Sequence, residues 1–125
     1  KAKNGWNQNE DKTWFFINSN GEKAQGWLKD GELWYHLNPD GSVQTGWLKD
    51  NDGVWYYLSN NGSMKTGWLR DSNGKWYYLN EDGSMKTGWL KDNDGKWYYL
   101  NQSGEMIVDT VVDGYVLSSN GQWIY

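Results

Sequence analysis

The chain has no cysteine. Disulfides and thiolate metal sites are therefore excluded. It has a single histidine, His36, too little for a histidine-rich metal site or for a convincing catalytic triad. Phenylalanine occurs twice, and leucine, isoleucine and valine are sparse, so an ordinary aliphatic core lacks its material. An excess of positive charge is also missing. Twelve Lys and Arg stand against 16 Asp and Glu, a net charge of -4, which argues against binding dominated by phosphate neutralisation, as with nucleic acid. No apolar run approaches the roughly 20 residues that a transmembrane helix needs.

What the chain does have is rings. Eleven tryptophans and nine tyrosines occur in 125 residues, which sets it apart from disordered chains. The tryptophans are periodic. Gly-Trp recurs at Trp6, Trp27, Trp47, Trp68 and Trp89, in steps of 20 or 21 residues. Each is followed seven or eight residues later by a second: Trp14, Trp34, Trp55, Trp76 and Trp97. Such a period marks a repeat protein, in which each unit leans on its neighbours.

One repeat reads as a hairpin. In the third, Gly46-Trp47-Leu48-Lys49 is a short strand and Asp50-Asn51-Asp52-Gly53 a turn. Val54-Trp55-Tyr56-Tyr57-Leu58 is a strand of aromatic and branched residues, and Asn60-Asn61-Gly62 turns the chain again. Side chains alternate along a strand, so both faces of the hairpin carry rings and both should be contacted. A lone two-stranded hairpin is marginal in water, so stacking is expected. The prediction is an all-β solenoid of stacked hairpins, with about five repeats of 20–21 residues over 1–106 and a capping hairpin over 107–125. A sixth Gly-Trp would fall at 109–110, where Asp109 and Thr110 stand, and Gly114 takes the second tryptophan's place. The cap is the most aliphatic stretch, which makes it a candidate element for a homodimer. The chain opens inside a repeat-like segment, as a module of a longer protein would.

The pattern Gly-Trp, then Trp-Tyr-Tyr-Leu-Asn, then Gly-Ser-Met-Lys-Thr-Gly-Trp resembles the choline-binding repeats of Gram-positive surface proteins and phage lysins. The resemblance spans nearly the whole chain and is tightest in repeats three to five. It implies a left-handed β-solenoid with a choline site between consecutive repeats. It further implies a box made of the two tryptophans of one hairpin, the first tyrosine of the next, and the intervening methionine. A spread quaternary ammonium charge suits ring faces, and a thioether supplies a polarizable wall.

Carried over by position, the boxes are Trp47, Trp55, Met64 and Tyr77; Trp68, Trp76, Met85 and Tyr98; and Trp89, Trp97, Met106 and Tyr115. A fourth is Trp27, Trp34 and Tyr56, with Val43 in the methionine's place. A fifth set, Trp6, Trp14 and Tyr35, has Lys23 there, whose ammonium would repel a cation unless its stem packs and its head turns outward. Tyr57, Tyr78 and Tyr99 read as packing residues.

The function implied is non-catalytic: a module, secreted or on a phage lysin, that binds choline or phosphocholine on teichoic and lipoteichoic acids of a bacterial cell wall. It needs no cofactor, metal or nucleic acid. The basic residues Lys29, Lys49, Arg70 and Lys91, each after Gly-Trp-Leu, could meet a phosphate or simply face solvent. The rival reading is a glucan-binding repeat of an extracellular glucosyltransferase or toxin, in which sugars stack on rings and take hydrogen bonds from nearby polar groups. The Asp-Asn-Asp-Gly runs faintly suggest a calcium loop, but turn chemistry accounts for them.

Overall fold

A computed structural model describes residues 3–125. The chain is all-β, and the described residues form six antiparallel hairpins in series. They divide into two compact units, one ending at Lys65 and one running from Thr66 to Tyr125.

The first unit holds three hairpins: β1 (Gly5–Gln8) with β2 (Trp14–Ile17), β3 (Gly26–Asp30) with β4 (Leu33–Leu37), and β5 (Gly46–Lys49) with β6 (Trp55–Leu58). The second holds β7 (Gly67–Arg70) with β8 (Trp76–Leu79), β9 (Gly88–Lys91) with β10 (Trp97–Leu100), and β11 (Thr110–Val112) with β12 (Tyr115–Leu117). The strands lie where the Gly-Trp and Trp-Tyr-Tyr-Leu motifs predict them.

Pairing register sorts the side chains. Trp89 stands opposite Tyr99 and Lys91 opposite Trp97, so these four share one face. Leu90, Tyr98 and Leu100 take the other. Each hairpin thus offers a tryptophan face and a tyrosine–leucine face. The leucine closing each second strand forms the core. Leu37, Leu58, Leu79, Leu100 and Leu117 are all 0–1% exposed. The aliphatic core is therefore one leucine deep per repeat, which is why so few aliphatic residues suffice.

After its second turn, each repeat pairs once more with its own second strand. Leu58 bridges Met64, Leu79 bridges Met85, Leu100 bridges Met106, and Leu117 bridges Trp123. The six-residue step from leucine to partner is constant. Within each unit, the partner's backbone N–H also reaches the preceding hairpin. Val43 donates to the Trp14 carbonyl, Met64 to Trp34, Met106 to Trp76 and Trp123 to Trp97, at 2.7–3.1 Å. These bonds couple successive hairpins.

The sixth hairpin departs from the expected spacing. Thr110 pairs with Leu117 and Val111 with Val116, where Gly88 pairs with Leu100 and Trp89 with Tyr99 in the fifth. The tryptophan place thus falls on Val111, one residue later than the period predicts. The connecting loop is longer, and Asp109 sits at φ 52. Val111 of this hairpin, and Ile124 and Tyr125 that follow it, are exposed.

Gly104 shows why the second turn needs glycine. Its φ is +85, and a Cβ there would collide with the Met85 sulfur. Gly104→Ala therefore meets both a left-handed backbone and a packed side chain, and should cost roughly 2–4 kcal/mol. Leu100→Ala should cost a similar 2–5 kcal/mol. Urea unfolding checks both. A loss under 1 kcal/mol at either position would show that the leucine–methionine stack is not the core.

Candidate functional site

Each repeat contributes an inner and an outer tryptophan with different surroundings. The inner ones, Trp6, Trp27, Trp47, Trp68 and Trp89, are half-buried. Each meets a ring across its own hairpin edge-to-face: Phe16, His36, Tyr57, Tyr78 and Tyr99, at centroid distances of 5.0–5.2 Å. This geometry brings a ring's positive edge to its neighbour's negative face. Tyr57, Tyr78 and Tyr99 thus pack against the inner tryptophans, and His36 takes the same place in the second hairpin.

Inner tryptophans also meet the first tyrosine of the following hairpin. Trp6 lies 5.0 Å from Tyr35, Trp27 5.0 Å from Tyr56, Trp68 5.0 Å from Tyr98 and Trp89 5.6 Å from Tyr115. Tyr98 is well anchored. It is 8% exposed, its hydroxyl donates to Asp94 Oδ2 at 2.9 Å, and it accepts from Gln122 Nε2. Burial raises its pKa above the ordinary tyrosine value.

The outer tryptophans, Trp14, Trp34, Trp55, Trp76 and Trp97, are 37–46% exposed. Trp34, Trp55 and Trp76 stand nearly perpendicular to their inner partners, 6.3–6.5 Å between centroids. Inner ring, outer ring and next tyrosine thus enclose a notch open on one side.

Three notches are resolved as cavities. One, of about 610 Å³, is lined by Trp6, Trp14, Tyr35 and Val43, with Lys12, Asn60 and Asn61 at its rim. A second, of about 590 Å³, has Trp68, Trp76, Tyr98 and Met106, with Lys75, Ser119 and Asn120 nearby. The third, of about 390 Å³, is lined by Trp89, Trp97, Tyr115 and Trp123.

In each of these three cavities the two tryptophans of one hairpin and the first tyrosine of the next lie together. The fourth wall does not. Met106, not Met85, lines the Trp68 cavity, and Trp123, not Met106, lines the Trp89 cavity. Val43 belongs to the Trp6 cavity, not to the Trp27 set. The backbone bonds give the reason: the residue six beyond each core leucine docks on the outer tryptophan of the preceding hairpin. The methionine between two hairpins in sequence is therefore not the one between them in space. By the same bond Met64 is joined to Trp34, on the side of Trp27 and Tyr56.

Lys23 is accordingly removed from the first cavity. Its ammonium lies 4.7 Å over the Phe15 ring. The objection that Lys23 raised to the Trp6, Trp14 and Tyr35 set no longer applies, and Lys12 at the rim is the basic residue that lines this cavity. Trp47 and Trp55 keep the same mutual geometry in the first unit, while Tyr77, 7% exposed, accepts a hydrogen bond from Asn73 in the second.

Two sets of residues escaped the sequence reading. Trp123 was masked by its aliphatic surroundings, although it lies six residues beyond Leu117. Aspartates at the hairpin tips were read as turn formers only. Yet the indole N–H of Trp6 donates to Asp30, Trp27 to Asp50, Trp68 to Asp92 and Trp89 to Asp113, at 2.6–3.2 Å. The Trp27 indole and the Asn51 amide together hold Asp50 below the ordinary carboxylate range. The basic residues Lys29, Lys49, Arg70 and Lys91 each stand directly across from an outer tryptophan and share its face.

Chemically, these cavities offer ring faces, a thioether or aliphatic wall, and an open mouth. They fit a compact cation without hydrogen-bond donors. The family model for the choline-binding repeat matches residues 24–68 and 65–110. The chain belongs to the choline-binding repeat family. Its structure is similar to that of CbpJ from Streptococcus pneumoniae TIGR4 (44% identity, TM-score 0.88, covering 98% of this chain and 41% of that one). It is also similar to choline binding protein F (CbpF) of Streptococcus pneumoniae in complex with ipratropium (42%, TM-score 0.87, 100% and 40%). A third is the multimodular pneumococcal cell wall endolysin of phage Cp-1, complexed with choline (37%, TM-score 0.68, 99% and 38%). This choline-binding repeat chain therefore spans about two fifths of the length of each of these relatives. A comparison with curated proteins finds no match.

His36 gives the array an acid-sensitive point. Its Nδ1 is buried without a hydrogen-bond partner among the described residues, and burial holds its pKa below the ordinary histidine value, opposed by Asp50. The folded state thus favours neutral imidazole, while the unfolded chain takes up a proton near pH 6.5. Stability from this group is complete above that pH and declines as pH falls toward the folded value. Asp50, also depressed, adds a separate loss only below about pH 4. His36→Tyr, which installs the ring found in the third to fifth hairpins, should shrink the fall in Tm between pH 7 and pH 5. An unchanged pH dependence in that variant would clear His36 of the effect.

Proposed function

We propose that the chain is a non-catalytic module that holds its parent protein on phosphocholine-bearing teichoic or lipoteichoic acids of a bacterial envelope. The observation that carries this is the set of notches walled by two indoles, a phenol and a thioether, valine or third indole. A trimethylammonium group spreads its charge under methyls and gains on the order of 1–2 kcal/mol from each well-placed desolvated ring. Family membership and a relative complexed with choline support the same ligand.

Within the two units the sites are Trp6, Trp14, Tyr35 and Val43; Trp27, Trp34, Tyr56 and Met64; Trp68, Trp76, Tyr98 and Met106; and Trp89, Trp97, Tyr115 and Trp123. The first is as complete as the others once Val43 replaces Lys23 as its wall. Several weak sites on one array give avidity for a polymer that displays many choline groups. The basic residues beside the outer tryptophans are placed to meet the accompanying phosphates. Cell-surface location follows from this binding, whatever domain the parent protein carries.

One observation favours a second reading. Asn60 and Asn61 rim one cavity, and Ser119 and Asn120 another, as hydrogen-bonding partners of a stacked sugar would. Titration with choline and with dextran separates the two. Choline should change tryptophan emission and raise Tm, because ligand clasped by two hairpins stabilises the folded state by about 2.7 kcal/mol at a hundredfold excess over Kd. Trp76→Ala should weaken its own site roughly 5- to 30-fold. A response to dextran alone would transfer the module to the glucan-binding class.

A further inference from the structure

The aspartates at the hairpin tips have two separate jobs on one carboxylate. Asp92 Oδ1 accepts the Asn93 amide within the turn, while Oδ2 accepts the Trp68 indole at 2.6 Å. Asp50 divides its oxygens the same way between Asn51 and Trp27. The turn itself does not need the charge. Asn9 holds the equivalent place in the first hairpin. Its N–H donates to the Thr13 carbonyl and its carbonyl accepts from Lys12, as Asp92 does with Lys96 and Gly95. An amide closes this turn as well as a carboxylate.

A carboxylate occurs where an indole N–H from the preceding hairpin arrives. The four observed pairs are separated by 23 or 24 residues, so the pairing is a property of the repeat and not of one local accident. The bonded atom is the one polar atom of the ring whose face lines the notch. An anion accepting that N–H pushes electron density into the indole. It also places a negative charge at the ring edge, one ring-width from a cation on the face. Charge-assisted bonds are shorter and stronger than neutral ones, which fits the 2.6–2.8 Å distances at three of the four pairs.

We propose that Asp30, Asp50, Asp92 and Asp113 are positioning residues for the cation notches: each fixes the plane of an inner tryptophan and, through its charge, strengthens that ring's attraction for a cation. This role rests on the cation-binding reading above. Because the aspartate belongs to the hairpin that also supplies the tyrosine wall, one residue ties the two halves of a notch together. The carboxylate never touches the ligand. It acts through the ring.

Asp92→Asn tests this, since asparagine keeps an acceptor and, as Asn9 shows, the turn. In the 15N-labelled, ligand-free protein, the Trp68 indole proton should move upfield while that of Trp89 stays in place. Titrated on the same signals, choline should bind at Trp68 roughly three- to tenfold more weakly, with the Trp89 site unaffected. Its uncharged isostere 3,3-dimethylbutan-1-ol should change less than twofold. Equal weakening of both ligands would reduce the aspartate to a structural strut, and undiminished choline binding would remove any role. Absence of any choline response in the wild-type chain would instead sink the cation site itself. Should Asp92→Asn fail to fold, Asp113→Asn poses the same question at Trp89.

Discussion

The backbone hydrogen bond from the residue after the second turn to the outer tryptophan of the preceding hairpin is the constraint from which much else follows. A two-stranded hairpin cannot stand alone in water. This bond, made by Val43 and Met64 in the first unit and by Met106 and Trp123 in the second, fixes successive hairpins against one another within each unit. It has two consequences at once. It seats the core leucine beside its bridged partner, closing the aliphatic layer. It also swings that partner's side chain over the outer tryptophan, which finishes the notch. Core and notch are built by the same contact, so neither can be altered without the other feeling it.

That economy explains the composition. A domain with few aliphatic residues must bury something else, and here it packs rings edge to face while leaving the outer tryptophans partly open. Inner tryptophans are braced by rings on two sides and half-buried, whereas the outer ones remain 37–46% exposed. Ring-edge packing demands perpendicular neighbours. Perpendicular neighbours in turn create concave corners, and a corner of ring faces is what a diffuse cation requires. Tyr77 and Tyr98, the first tyrosines of their strands, are even more buried than Tyr78 and Tyr99 beside them.

Much of this was legible in the sequence, because the repeat states it several times. Strand positions followed from Gly-Trp and Trp-Tyr-Tyr-Leu, and the repeat spacing already set Trp6 beside Tyr35, Trp27 beside Tyr56, Trp68 beside Tyr98 and Trp89 beside Tyr115. The fourth wall was misassigned because nearness along the chain was taken for nearness in space. Met85 precedes the hairpin carrying Tyr98, but Met106 lies over that site, since each repeat folds back on its predecessor after its second strand. Asp92 was missed for a different reason. Aspartate in a turn already has a sufficient explanation, and an indole arriving from 24 residues away leaves no local trace. Trp123 was hidden by its apolar neighbours, although the constant step from the core leucine pointed to it.

A ligand that sits in a corner made by two hairpins contacts precisely those surfaces whose packing holds the hairpins together. Binding and folding are then linked in both directions. An array of this kind gains rigidity as its notches fill, and each filled notch reduces the freedom its neighbours must surrender on binding. The linkage is strongest where packing is weakest. The Trp89 notch shows this: its tyrosine sits 5.6 Å away instead of 5.0 Å, its carboxylate bond is 3.2 Å, and its Tyr115 and Trp123 walls are 46% and 42% exposed. A cation there replaces missing protein contacts with its own. On the proposed function, the sixth hairpin, whose notch with the fifth is the more loosely packed, therefore has the most to gain from a bound cation.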